Sequence, residues 1–161
     1  MKTLQVTTPS DREIAMTRVF DAPRALVYEA YTKPDLLKQW LGVMPGWVFA
    51  VCEVDLRVGG KYRYVWRGPD NFEMGMGGEF KEVVPGQRLV ATEKYDQAWY
   101  PGGAVTTLTL VEQGGKTTLT LTVKYDTKDA RDAVLQHDGA IQGVEAGFDN
   151  LAQLLAKRSR T

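Results

Sequence analysis

From Trp47 to Tyr125 the chain alternates apolar and polar residues with a period of two, and beyond it Ile141, Val144, Phe148, Leu151 and Leu155 recur at steps of three and four. The first pattern belongs to strands with one wet face, the second to a helix with a single apolar stripe. Neither surface is stable alone, so the chain must cover the apolar face of an antiparallel sheet with a long helix. Inside the alternating stretch, Asp55-Leu56-Arg57-Val58-Gly59-Gly60-Lys61-Tyr62 carries a hairpin signal, with charged residues before paired glycines and aromatics after them.

The remaining elements follow from local chemistry. Ile14 to Phe20 reads as a short strand that stops at Asp21-Ala22-Pro23, where proline suits the first turn of a helix. Val27, Ala30 and Tyr31 then share one helical face, and after Pro34 so do Leu36, Leu37 and Trp40 before Gly42. Tyr62, Tyr64 and Trp66 should point inward from the next strands, as should Met74, Met76 and Phe80 after Phe72. Pro85-Gly86 turns the chain into Leu89, Ala91, Glu93 and Tyr95. Gly102-Gly103 and Gly114-Gly115 bracket two more strands, in which Leu108 and Leu110, then Leu119, Leu121 and Val123, alternate with threonines. The order is one strand, two small helices, about six antiparallel strands and a long helix.

At 161 residues the chain fits one domain, expected over residues 12–157 with flexible termini at 1–11 and 158–161. Twenty basic and twenty acidic residues leave no net charge, so neither nucleic acid nor an anionic membrane is favoured as a partner. Cys52 is alone, which excludes an internal disulfide and any multi-cysteine metal site and fits a reducing compartment. No apolar run reaches the length of a membrane span or of a signal-peptide core, so the expected location is the cytoplasm. Serines occur only at Ser10 and Ser159, both terminal, so a serine triad has no support. No phosphate-binding loop, zinc spacing or calcium loop occurs, and no cofactor or metal is expected. The basic end Lys157-Arg158-Ser159-Arg160 is too short for a nucleic-acid patch.

Several stretches carry a resemblance to a known family: Arg18-Val19-Phe20-Asp21-Ala22-Pro23, Lys33-Pro34 through Gln39-Trp40-Leu41-Gly42, and Asp55-Leu56-Arg57-Val58-Gly59-Gly60. Gly78-Glu79-Phe80 with Pro85 to Leu89, and Gly143-Val144-Glu145 leading to Leu151, complete the set. In this order they resemble the helix-grip (START-like, or SRPBCC) superfamily of lipid-transfer domains, the birch pollen allergen and aromatic polyketide cyclases. Within it, the chain is most similar to the family named after the activator of the heat-shock-90 chaperone ATPase. That family often carries Trp or Met where Val144 stands, and an aromatic near Glu93. The resemblance implies an α+β fold in which a curved antiparallel sheet of about six or seven strands wraps a long C-terminal helix, two short helices following strand one. It also implies, as in many members, a hydrophobic cavity between sheet and helix. Members bind apolar molecules such as lipids or polyketides, cyclise polyketides or assist a chaperone, so membership does not decide function.

Strand parity and the helix stripe nominate Trp40, Tyr64, Trp66, Met74, Met76, Glu93, Tyr95, Val144 and Phe148 as ligand-binding residues. Flat rings and flexible thioethers give an apolar ligand large, adaptable contact, although the same residues can equally fill a core. The glycines in Met74-Gly75-Met76-Gly77-Gly78 leave room for a cavity or simply bend the sheet. Glu93 is the best catalytic candidate, because Leu89, Ala91 and Tyr95 share its parity and would carry its carboxyl inward. There it would act as a general acid or base, or as a ligand anchor; a salt bridge to an arginine such as Arg63, or a one-residue register error, would make it structural. Asp55 and Arg57 belong to the glycine turn. His137, the sole histidine, stands in His137-Asp138-Gly139 as a solvated loop residue or as a base oriented by aspartate.

A small-molecule binding protein for an apolar or aromatic ligand is the favoured function. A polyketide cyclase or hydrolase-like enzyme using the same cavity is one alternative, and a co-chaperone acting on a chaperone ATPase is another; whether the chain is an enzyme stays open. Expected partners are an apolar small molecule, with no nucleic acid and no membrane insertion. A homodimer stays open, and nothing in the sequence argues for a chaperone partner.

Overall fold

The computed structural model describes residues 4–97, 99–137 and 139–158. Eight strands form one antiparallel sheet: β1 (Gln5–Thr7), β2 (Glu13–Phe20), β3 (Val48–Val54), β4 (Lys61–Arg67), β5 (Glu73–Val84), β6 (Arg88–Tyr95), β7 (Ala104–Gln113) and β8 (Lys116–Tyr125). Their order across the sheet is β1-β2-β8-β7-β6-β5-β4-β3, so a meander from β3 to β8 returns to pair with β2. Helices α1 (Arg24–Thr32) and α2 (Pro34–Leu37) carry the chain from β2 to the far edge, and α3 (Lys128–Gln136) and α4 (Ala140–Arg158) follow the sheet. Register shifts between Phe49 and Val51 and between Phe80 and Glu82 interrupt β3 and β5, the kind of bulge that bends a strand. This is the helix-grip arrangement, with more strands than the sequence pattern implied.

Two elements lie outside the expected set. β1 has three exposed residues, too few and too polar for a period-two signal, and it is held by antiparallel pairing of Gln5, Val6 and Thr7 with Thr17, Met16 and Ala15. α3 buries Ala130, Arg131 and Val134, too sparse a stripe to stand out, and is capped by the Thr127 hydroxyl, which accepts from the Ala130 amide at 3.1 Å. Of the termini expected to be flexible, residues 1–3 and 159–161 lie outside the described residues, while β1 falls within the first segment and Arg158 ends α4.

The glycine turn between β3 and β4 behaves as its sequence implies. The Arg57 Nε donates to both Asp55 carboxylate oxygens at 3.0 and 2.9 Å, and a Cβ at position 60 would run into the Asp55 carbonyl. Gly59 has φ 84°, the left-handed region that glycine occupies without strain. Asp55 and Arg57 are turn residues.

Buried side chains fall into three groups. One joins Phe20, Val27, Leu37, Trp40, Leu119 and the α4 residues Phe148, Leu151, Leu154 and Leu155. A second joins Ile14, Met16, Tyr100, Val123, Tyr125 and, from α3, Ala130 and Val134. The third is Tyr62, Met76, Phe80 and Ala91 on β4, β5 and β6. α4 is therefore anchored by its C-terminal half, since every buried residue on it lies between Phe148 and Leu155. Arg18, buried on β2, donates to the Asp149 carboxylate at 2.6 Å and lies 5.3 Å over the Phe20 ring, tying the sheet to that half.

Candidate functional site

Where these three groups meet, the linking residues are only partly buried. Tyr64 touches the first and third groups, Tyr95 the second and third, and Val144 the first and second. Glu93 points into the same region from β6, following Leu89 and Ala91 at period two. Its residue keeps some accessible surface, yet burial is the leading cause that pushes its carboxyl up to about 7, only partly offset by the Tyr100 hydroxyl donating at 3.3 Å. An enclosed carboxyl whose one printed partner is a phenol is a costly group to keep in a packed core.

Tyrosines surround that carboxyl. Tyr31 of α1, Tyr62 of β4, Tyr95 of β6, Tyr100 after β6 and Tyr125 of β8 all have raised hydroxyl pKa values, caused first by burial and then by the Glu93 charge. Tyr95 and Tyr100 lie 6.0 Å apart at 78°, and Tyr100 and Tyr125 5.1 Å apart at 89°, so their rings present themselves from different directions. The Tyr62 hydroxyl donates to the Thr92 carbonyl at 2.7 Å.

Among the described residues no arginine pairs with Glu93. Arg63 lies across the sheet in an exposed bidentate pair with Asp96. The alternative of a salt bridge from Arg63 to Glu93 is thus ruled out: Arg63 is at an even step from Lys61 and Arg67 along the outer face of β4 and pairs there with Asp96. Neither does the register slip, since Glu93 pairs with Ala104, which is buried, and Ala104 pairs with Tyr125, also buried.

The other candidates divide. Tyr64, Met76 and Tyr95 are cross-strand neighbours in register, Tyr64 opposite Met76 and Met76 opposite Tyr95, and so share the inner face with Glu93. Trp66 continues the ladder 6.0 Å from Tyr64, with its indole N–H donating to the Leu41 carbonyl at 3.2 Å. Gly42, at φ 67°, is what lets that loop lie on the indole, because a Cβ there would overlap the ring. Met74 pairs with Trp66 but is largely exposed, as is Phe72 beyond it. Trp40 and Phe148 sit in the first core group at 6.2 Å from each other, Trp40 donating its indole N–H to the Ala30 carbonyl at 2.9 Å. Val144 lies on the half of α4 that buries no residue completely.

Tyr31, Tyr62, Tyr100 and Tyr125 went unmarked as site residues in the sequence. Parity with Leu119, Leu121 and Val123 points Tyr125 inward, and Tyr31 shares the α1 face of Val27. Tyr100 lies in an irregular segment where periodicity has no meaning. His137 closes α3, exposed, with its ring 4.7 Å from that of Trp99; Asp138, its expected orienting partner, lies outside the described residues. Burial pushes the Cys52 thiol up to about 11, which leaves it a poor nucleophile. Among the described residues no three His, Cys, Asp or Glu side chains are placed to share a metal ion, and no helix is long and apolar enough to cross a membrane.

Residues 21–156 match the family described as Activator of Hsp90 ATPase homolog 1-like protein. A crystal structure of a Rhodobacter sphaeroides protein is similar to this chain with a TM-score of 0.90 at 32% identity, over 96% of this chain and 99% of that one. A Chromobacterium violaceum protein is similar with a TM-score of 0.72 at 30% identity, over 91% and 98%. A Nitrosomonas europaea protein is similar with a TM-score of 0.80 at 26% identity, over 94% and 99%. No curated protein matches the chain.

Proposed function

The chain belongs to the Activator of Hsp90 ATPase homolog 1-like family, and from that premise we propose that it is a small-molecule binding protein. Its ligand, apolar or aromatic, occupies a cavity between the sheet and the N-terminal half of α4. The observation that carries this is Glu93: an inward, buried carboxyl with no cationic partner among the described residues, ringed by tyrosines. A packed core does not keep such a group, because burying a carboxyl without a partner costs several kcal/mol. A ligand pocket does, since a few polar groups in an apolar lining fix orientation. Tyr64, Trp66, Met76, Tyr95 and Val144 supply the apolar wall, and Met74 stands at its exposed end. Trp40 and Phe148 hold the floor on which α4 rests.

Native mass spectrometry of freshly purified protein, paired with titration of tryptophan fluorescence by an anilinonaphthalene dye, tests the proposal. Saturable quenching at micromolar dye, about −8 kcal/mol, is expected. Unsaturable quenching across a broad set of apolar dyes, with no mass above that of the chain, would count against a cavity. An enzymatic use of the same space, of cyclase or hydrolase type, is favoured by one observation: burial pushes the Glu93 carboxyl up to about 7 with the Tyr100 hydroxyl 3.3 Å away, the range suited to a general acid or base. The co-chaperone alternative draws on the family's name and stays outside the proposal.

A further inference from the structure

We propose that the ligand carries a protonated amine, seated on the Glu93 carboxylate inside the tyrosine box, with its apolar body along Tyr64, Met76 and Tyr95. This rests on the cavity proposed above and names the chemistry of its deep end. A carboxylate can accept about four hydrogen bonds, and the hydroxyl that reaches Glu93 does so at 3.3 Å, long for an O–H···O contact. Among the described residues the one charge partner Glu93 lacks is a cation. The groups that face it are Tyr31 from α1, Tyr62 from β4, Tyr95 from its own strand, Tyr100 from the segment after β6 and Tyr125 from β8. Each can be neutral at any physiological pH, because burial and the Glu93 charge both raise its hydroxyl. β7 places Ala104 opposite Glu93, and Met76 of β5 pairs with Tyr95. The cations that could have intruded are engaged elsewhere, Arg63 with Asp96 and Arg18 with Asp149.

An ammonium supplies what is missing: three donors and a positive charge. Tyr95, Tyr100 and Tyr125, packed edge to face at 6.0 and 5.1 Å, put aromatic rings beside that charge, the surroundings in which a cation is favoured. A carboxylate ligand would meet the negative Glu93 with no cation to mediate, and a neutral alcohol would leave the charge uncompensated. When the amine binds, any Glu93 still protonated gives up its proton to solvent, and the ligand's N–H groups take its place.

Isothermal titration calorimetry of the full chain with naphthylethylamine and its neutral counterpart naphthylethanol distinguishes these cases. The amine should bind more tightly than the alcohol at pH 8, and roughly tenfold more tightly at pH 8 than at pH 6, the change in ionised fraction of a carboxyl titrating at about 7. Binding of the alcohol should change little over that range. In Glu93→Gln the amine should lose both its preference over the alcohol and its pH dependence. Alcohol binding equal to or tighter than amine at pH 8 would overturn the amine and leave the apolar cavity standing. An amine preference that survived in Glu93→Gln would also overturn it. Failure of both naphthyl compounds to bind would overturn the cavity and the amine together. The comparison on the unaltered protein decides the matter even if the variant misfolds.

Discussion

At the scale of single residues, Glu93 makes the sharpest thermodynamic statement. Its folded value, about 7, lies above the ordinary 4.5, so the folded state keeps a proton that the unfolded chain loses. The stability this confers is fully present below about pH 4.5, declines as the pH rises to about 7 and is gone above it. Glu93→Gln has no such decline. At pH 8 it should exceed the parent protein by roughly 3 kcal/mol, about 2.5 units at 1.36 kcal/mol per unit, with the gap shrinking to under about 1 kcal/mol near pH 5. Urea unfolding at both pH values measures this, and an equal gap at the two would show that something other than proton uptake separates them. Tyr100→Phe should move the Glu93 titration further upward, because the phenol hydrogen bond is what holds it down; NMR of the carboxyl carbon reads the shift. Strand parity made the inward direction of Glu93 legible in the sequence. Its freedom from Arg63 was not, because an ion pair also depends on the competing partner, and Asp96 lies just past the end of β6 where periodicity gives no direction.

At the scale of elements, α4 is two helices in energetic terms. Phe148 meets Phe20 edge-on at 5.7 Å and Trp40 at 6.2 Å, so Phe148→Ala should cost about 3–4 kcal/mol. Val144, one turn earlier and only partly buried, should cost less than about 1.5 kcal/mol on truncation to Ala, because fewer contacts are lost and the surroundings can relax. Chemical denaturation of the two variants separates them. Amide exchange should follow the same division, faster over residues 140–147 than over 148–155. The stripe from Ile141 to Leu155 announced this helix in the sequence, but not its uneven grip, since periodicity reports which residues share a face and not how far away the opposite wall stands. The converse failing hid β1 and α3. β1 is fixed by backbone pairing, and α3 by a cap and only two buried apolar residues, Ala130 and Val134, which leave little periodic signature.

At the scale of the whole molecule, the sheet order places β2 between β1 and β8, although Phe20 pairs with Thr117 across most of the chain. Contacts so distant in sequence slow folding, and refolding from urea should be complete on the millisecond-to-second scale, without the microsecond phase typical of local helical folds. Stopped-flow fluorescence checks this. The meander from β3 to β8 was legible because each hairpin is local and its glycine turns are written in the sequence; the pairing of β2 with β8 was not, since no short-range signal encodes it. That same pairing has a consequence during synthesis. A nascent chain emerging from the ribosome shows Ile14, Met16 and Phe20 long before Val123 and Leu119 exist to cover them. At about 5–20 residues per second, the first strand waits roughly 5–20 s for its neighbour. Through that interval β2 lacks the strand that pairs with it from Glu13 to Phe20, so the segment up to Gly42 is where a nascent-chain holdase would find its first hold.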